Sequence, residues 1–159
     1  MTKKEERRLK ALLAPYLQDE RVQSMRVFAQ HGGTDTLTHV WHVTRLSYLW
    51  NRRLHLGADE SVLTTGALLH DFYLYDWHVP DRSRRGLHGY THPRAACVTA
   101  VEAFDIGERE QQVILSHMWP LTLRTVPRSR EAWIVCLADK ACSLKETVCR
   151  GKRRSKICG

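Results

Sequence analysis

Apolar residues recur every three to four positions along most of this chain, and this periodicity constrains the fold more than any other feature. Leu9, Leu12 and Leu13, for example, fall on one side of a helix predicted at residues 3–14. Such a stripe is typical of an α-helix with one buried face. The sequence shows no strand-length alternation of apolar and polar residues and no internal repeat. It therefore predicts an all-α fold.

The same spacing predicts a bundle of about seven helices, at residues 3–14, 19–30, 36–54, 59–71, 92–105, 107–118 and 129–149. The glycines of HGGTDT predict a turn, after which a Thr or an Asp caps the next helix. Pro93 suits the first turn of a helix, because a main-chain N–H has no helical partner there. We expect residues 72–91 to be irregular.

The length of the chain favours a single domain, because 159 residues can bury roughly two-thirds of the surface of the unfolded chain. We expect one domain over residues 1–159, with a core at about 30–150 and a basic C-terminal tail at 150–159. The composition, 43% hydrophobic and 26% charged, excludes a disordered or fibrous class.

Several features favour a cytoplasmic protein that does not bind membranes. No apolar run approaches the roughly 20 residues that cross a bilayer. The opening MTKKEERRLK is not followed by the apolar segment of a secretory signal. The five cysteines are odd in number and include no C-x-x-C pair, so we expect reduced thiols, most of them in the core.

The net charge is +8, and the basic residues cluster in KKEERRLK, DRSRRG and RGKRRSK. Such a charge attracts phosphates, nucleic acids or other anions. Nucleic acid is not the favoured partner, because aromatic residues are not interleaved with the basic ones as a stacking surface requires.

The stretch GALLHDFYLYDWHVP, residues 66–80, places His70 and Asp71 side by side at the end of an apolar helix. The helix offers His70 no charged partner, so its ring is expected to point into a cavity. Asp71 can supply a carboxylate to the same point.

Four other polar residues are candidates to join this pair. His39 shares a helix face with Val43, so it belongs to a buried stripe. Asp139 lies among small and apolar residues, where a carboxylate is costly unless it is paired or bound to a metal. His92 and His117 stand at predicted helix ends, from which both can point toward a common centre.

The order of these residues resembles the H…HD…H…H…D pattern of the HD-domain superfamily, helical bundles that act as metal-dependent phosphohydrolases. The segments THVWHVTRLS, GALLHDFYLYDWH, HGYTHPRAA, SHMWPLT and IVCLADKACSLKE look like those of small bacterial single-domain HD proteins. The resemblance covers about two-thirds of the chain. It implies that the metal ligands are His39, His70, Asp71, His92, His117 and Asp139.

The resemblance further implies two metal ions. His39, His70, Asp71 and Asp139 would hold the first, and Asp71 would bridge to a second held by His92 and His117. Four imidazoles and two carboxylates suit iron, manganese, cobalt, nickel or zinc better than magnesium, which prefers oxygen ligands. Such a pair activates water for the hydrolysis of a phosphate ester.

The expected substrate is a nucleotide or another small phosphorylated metabolite. Candidate contacts to its phosphate are Lys140, Arg84, Arg85 and His88, and the candidate catalytic residues are His70, Asp71 and Lys140. Related HD-GYP phosphodiesterases, which act on cyclic dinucleotides, carry a Lys three residues after the motif's Asp. Leu74 stands at that position and no GYP follows, so a cyclic dinucleotide is less favoured.

Two alternative functions remain open. A site of four His and two Asp filled by two irons can activate dioxygen, as in the HD-domain oxygenases that resemble myo-inositol oxygenase. Alternatively, the chain binds a nucleotide or nucleic acid through its basic surface without turnover. The five tryptophans are also compatible with a homodimer contact.

Overall fold

The described part of the chain folds into packed α-helices. A computed structural model describes residues 1–30, 33–79 and 87–155, with side chains as far as residue 148. The α-helices in these ranges are α1 (Lys3–Leu12), α2 (Ala14–Leu17), α3 (Glu20–Ser24), α4 (Thr36–Arg53), α5 (Glu60–Leu69), α6 (His88–Phe104), α7 (Glu108–Ser116) and α8 (Arg130–Ser155). The same residues contain no β-strand beyond an isolated bridge between Ala29 and Asp35. The prediction of an all-α fold is confirmed.

Aspartates cap the two helices that lead into the centre of the bundle. The side chain of Asp35 accepts a hydrogen bond from the N–H of Thr38 and begins α4. Asp59 caps α5 in the same way, through the N–H groups of Ser61 and Val62. An N-cap of this kind stabilises a helix by about 1 kcal/mol. The helix starts predicted after HGGTDT and at residue 59 therefore rest on a local interaction that the sequence displays.

The helix predicted at residues 19–30 ends early, and this part of the prediction was wrong. Helix α3 stops at Ser24 and is followed by a short 3₁₀ helix, Met25–Val27. The backbone then folds back, because the carbonyl of Phe28 accepts a hydrogen bond from the N–H of Thr36. This turn carries Gln30 out of the helix and toward the centre of the bundle.

Helix α6 begins at His88 rather than at residue 92, so Pro93 lies inside the helix and not in its first turn. Its missing N–H costs the helix one hydrogen bond. Contacts from outside the helix support the extra turn: the His88 ring stacks on the Trp77 indole with centroids 5.0 Å apart. These contacts are tertiary, so the local sequence pattern did not reveal them.

Helix α5 is the central helix, with every residue from 62 to 69 buried. Such a helix is expected when apolar residues occur on all sides. Gly66 lets it approach α7 closely, since a Cβ atom at this position would lie 2.6 Å from Cγ1 of Val113. The close approach matters for the site because His70 follows α5 and His117 follows α7.

Two apolar clusters hold the bundle together, and α4, α5 and α7 contribute to both. One contains Leu9, Val40 and Leu69 and joins these helices to the N-terminal helices and α6. The other contains Leu63 and Val135 and joins them to α8. Each buried side chain of this size contributes roughly 1.5–3 kcal/mol. In the described part of the chain, no helix has the length and hydropathy of a membrane span.

Candidate metal centre

The structure brings the six predicted ligand residues to one buried point between five helices. His39 comes from α4, His92 from α6 and Asp139 from α8. His70 and His117 are the first residues after α5 and α7, and Asp71 follows His70. All six are buried, with at most 7% of each residue exposed.

Asp71 lies at the middle of the group, with its two oxygens facing different imidazoles. Its Oδ2 is 3.6 Å from Nε2 of His70 and 4.0 Å from Nε2 of His39. Its Oδ1 is 3.2 Å from Nε2 of His92 and 3.6 Å from Nε2 of His117. One carboxylate is thus shared between two pairs of rings.

Asp139 adds a second carboxylate to one side only. Its Oδ1 lies 3.1 Å from Nε2 of His39 and 3.8 Å from Nε2 of His70. The centre therefore has two parts, which we call the acidic half (His39, His70, Asp139 and Oδ2 of Asp71) and the imidazole half (His92, His117 and Oδ1 of Asp71).

Hydrogen bonds at Nδ1 fix the orientation of all four rings. His70, His92 and His117 lie 2.7–2.9 Å from the main-chain carbonyls of Ala67, His88 and Ile114, respectively. The fourth, His39, lies 3.0 Å from Oε2 of Glu146. Carbonyls and carboxylates only accept hydrogen bonds, so each Nδ1 carries a proton and each ring directs its Nε2 inward. Metal-binding histidines are usually held in this way.

The inward atoms fit a cation. Nε2 of His70 and Oδ1 of Asp71 are buried and have no hydrogen-bond partner among the described residues. The Nε2 atoms of His92 and His117 are 2.9 Å apart, so both rings direct the same ring nitrogen at one point. Within the described residues, two groups have ligand atoms close enough together to hold a metal: His39 with His70 and Asp71, and Asp71 with His92 and His117.

Burial and charges within the centre shift the pKa values of His39 and His117 in opposite directions. Burial lowers the pKa of His39, but hydrogen bonds with Asp139 and Glu146 outweigh it and raise that pKa to about 10. In the imidazole half, burial and the neighbouring rings of His70 and His92 lower the pKa of His117 to about 3. Burial also opposes ionisation of Asp71, yet the surrounding imidazoles hold the pKa of its carboxyl well below the usual range.

A cavity of about 210 Å³ opens onto the imidazole half. Its lining residues are Gln30, Asp71, Trp77, His88, Gly89, His92, His117, Met118 and Asp139. His88 was predicted to contact substrate, and its ring lies at the cavity between Trp77 and His92, with centroids 5.0 and 4.6 Å away. Its role as a phosphate contact stays a prediction.

Lys140, a second predicted phosphate contact, contacts the backbone near the centre. The ammonium of Lys140 donates to the carbonyls of His117 and Cys136, at 2.9 and 3.3 Å. In this arrangement Lys140 holds the backbone that carries His117, and its predicted contact with phosphate remains untested. Arg84 and Arg85 lie outside the described residues, so their predicted role also stays a prediction.

Sequence reasoning missed three residues that contact the centre. Gln30 donates its amide N–H to Oδ2 of Asp71 at 2.5 Å, and the hydroxyl of Tyr73 donates to the other end of the same amide at 2.6 Å. Glu146 accepts the Nδ1 proton of His39. Glu146 could have been recognised from the sequence, because it follows Asp139 by two helical turns and so lies on the same face of the helix. Nothing in the local sequence singles out Gln30.

The fold and the site together define a helical-bundle protein with a His/Asp centre suited to transition metals. The HD domain family model matches residues 36–143, more than half of the chain, and the chain therefore belongs to the HD-domain family. This family consists largely of metal-dependent phosphohydrolases. Comparison with curated proteins and with solved structures finds no significant match.

Proposed function

We propose that this protein is a metal-dependent phosphohydrolase that cleaves the phosphate ester of a nucleotide or another small phosphorylated metabolite. The observation that carries the proposal is the position of Asp71, whose two oxygens face separate imidazole pairs. A carboxylate placed in this way is suited to bridge two ions. Bound there, such ions would activate a water molecule and neutralise charge on the phosphoryl oxygens.

The predicted ligands would divide between the two ions. His39, His70, Asp71 and Asp139 would hold the first ion, and Asp71, His92 and His117 the second. The hydrogen bonds at Nδ1 keep the Nε2 atoms of His70, His92 and His117 directed inward, so these rings would not need to reorient to bind metal. Among these residues, His70 and Asp71 are the proposed catalytic ligands.

Substrate would enter through the cavity. Its lining includes His92 and His117 of the imidazole half and Asp139 of the acidic half, but neither His39 nor His70. The imidazole half also has fewer protein ligands, and catalytic metal sites keep positions open for water or substrate. Substrate would therefore bind on the imidazole half, with His88 beside its phosphate.

Metal content and hydrolysis together test the proposal. Tag-free protein is purified without chelator, analysed by elemental mass spectrometry, and then loaded separately with Mn²⁺, Fe²⁺, Co²⁺, Ni²⁺ or Zn²⁺. Phosphate release from a panel of nucleotides and sugar phosphates is measured beside oxygen consumption. We expect close to two metals per chain and metal-dependent phosphate release.

Two other outcomes would contradict the proposed function. Oxygen consumption by the iron-loaded protein without phosphate release would favour the oxygenase alternative. A chain that stays free of metal after every incubation would refute the metal centre and favour a binding module without turnover.

A further inference from the structure

Glu146 contacts the metal centre from outside the predicted ligand set. It lies on α8, and only 8% of its side chain is exposed. Its Oε2 accepts the Nδ1 proton of His39 at 3.0 Å, and its Oε1 lies 3.0 Å from Nδ1 of His42. A buried carboxylate is costly unless its oxygens are hydrogen-bonded, and here both are.

The contact makes His39 different from the other three imidazoles. His70, His92 and His117 donate Nδ1–H to main-chain carbonyls, which are neutral. His39 donates to a carboxylate. A carboxylate partner fixes the tautomer and also raises the basicity of the ring nitrogen that faces the metal.

The family match does not cover Glu146, since it ends at residue 143. The geometry nevertheless ties Glu146 to the motif. Asp139 and Glu146 are two turns apart on one face of α8, and they contact opposite nitrogens of the His39 ring. His42, whose side chain is 50% exposed, holds the outer oxygen of the Glu146 carboxylate.

We propose that Glu146 is a positioning residue for His39. It keeps the proton on Nδ1, directs Nε2 at the ion of the acidic half, and makes His39 a stronger ligand than the other three histidines. The inference rests on the proposed metal centre, because without bound metal the contact would only join α4 to α8.

Titration of metal-free protein with Co²⁺ alone tests the role of Glu146. Glu146→Gln keeps the shape of the side chain and one acceptor oxygen but removes the charge. We expect the Co²⁺ affinity of one of the two sites to fall about 10–100-fold, while the other site changes little. The visible spectrum of the bound Co²⁺ should change as well, which a purely structural contact would not cause.

Two controls separate ligand tuning from folding. Glu102→Gln makes the same substitution at an exposed position of α6 and should leave affinity and spectrum unchanged. The melting temperature of each metal-free variant measures any loss of packing. A Glu146→Gln protein that binds two Co²⁺ ions with wild-type affinity and spectrum would overturn the proposal.

A second measurement needs no variant and so holds even if Glu146→Gln does not fold. Long-range ¹H–¹⁵N spectra of the zinc-loaded wild type report which nitrogen of His39 carries the proton. We expect a protonated Nδ1 and a metal-bound Nε2, whereas the opposite assignment refutes the role of Glu146. Wild-type protein that binds no metal would instead refute the proposed function, and this inference with it.

Discussion

The two halves of the centre share Asp71 but differ in charge. The acidic half has a second carboxylate, Asp139, and Glu146 lies behind its His39 ring. The imidazole half has no second carboxylate among its described ligands, and it faces the cavity. The difference suggests a division of labour, in which one half retains its ion and the other leaves room for substrate.

The largest effect is expected from substitution of Asp71, the carboxylate that both halves of the centre share. Asp71→Asn keeps the size of the side chain but cannot bridge two cations. We expect the metal content to fall from about two per chain to nearly none, and hydrolysis to fall on the order of 10³-fold. Elemental mass spectrometry and phosphate release measure the two effects. Asp105→Asn, at an exposed position after α6, is the matched control. If Asp71→Asn retained two metals, the two halves would bind metal independently of Asp71.

A substitution in the imidazole half should affect that half alone. His92→Ala removes one of two rings that face Oδ1 of Asp71. We expect about one metal per chain to remain, held by the acidic half, with hydrolysis lost. Loss of both metals in a folded His92→Ala protein would contradict the division described here. Circular dichroism of the metal-free variant checks folding.

The pH dependence of stability should separate His39 from His117 in the absence of metal. The pKa of folded His39 is about 10, above its ordinary value of 6.5. The stabilisation of the folded state by protonated His39 is therefore fully present below pH 6.5 and is lost as the pH rises toward 10. The pKa of folded His117 is about 3, so the unfolded chain binds the extra proton between pH 6.5 and 3, and stability falls as the pH decreases through that window.

Urea unfolding between pH 4 and 10, in the presence of chelator, measures both arms of this profile. His39→Asn should remove much of the loss above pH 6.5. His117→Asn should reduce the loss below it, and the lowered pKa values of Asp71 and Asp139 add a further loss only as the pH falls toward and below 3.8. An unchanged alkaline arm in His39→Asn would contradict the assignment.

The smallest of these effects concerns Gln30, which donates a hydrogen bond to the shared carboxylate. Gln30→Ala removes this donor and leaves the hydroxyl of Tyr73 without its acceptor. Because the bond lies on Oδ2, we expect a several-fold loss of metal affinity in the acidic half and little change in the other.

Tyr73→Phe removes the hydrogen bond to the Gln30 amide oxygen and should cause a smaller loss of metal affinity in the acidic half. Equal losses at both sites would mean that Gln30 acts on Asp71 as a whole. Competition with a chromogenic chelator measures the two affinities.

Local interactions explain which parts of this fold could be predicted from sequence. Asp35 and Asp59 cap helices through N–H groups two or three residues away, so the sequence displays both partners. His70 and His117 likewise donate to the carbonyls three residues before them. The predicted helix ends at these positions needed no knowledge of the rest of the chain.

The errors occurred where distant residues decide the local structure. The turn after Ser24 depends on pairing between Ala29 and Asp35. The first turn of α6 is supported by the stack of Trp77 on His88. In both places the intrinsic preference of the segment is outweighed by contacts that only the assembled bundle supplies.

The sequence by itself determined an all-α chain of the HD-domain family, with six His and Asp residues in the family order. Helical periodicity and local caps encode the elements, and the spacing of the motif distributes the six residues over five helices or helix ends. Only the tertiary structure decided which oxygen of Asp71 faces which rings, and that Gln30 and Glu146 hold two of the ligands from outside the motif. The physical reason is that these contacts join residues 41 and 107 positions apart, whose distance depends on the packing of whole helices and not on any local pattern.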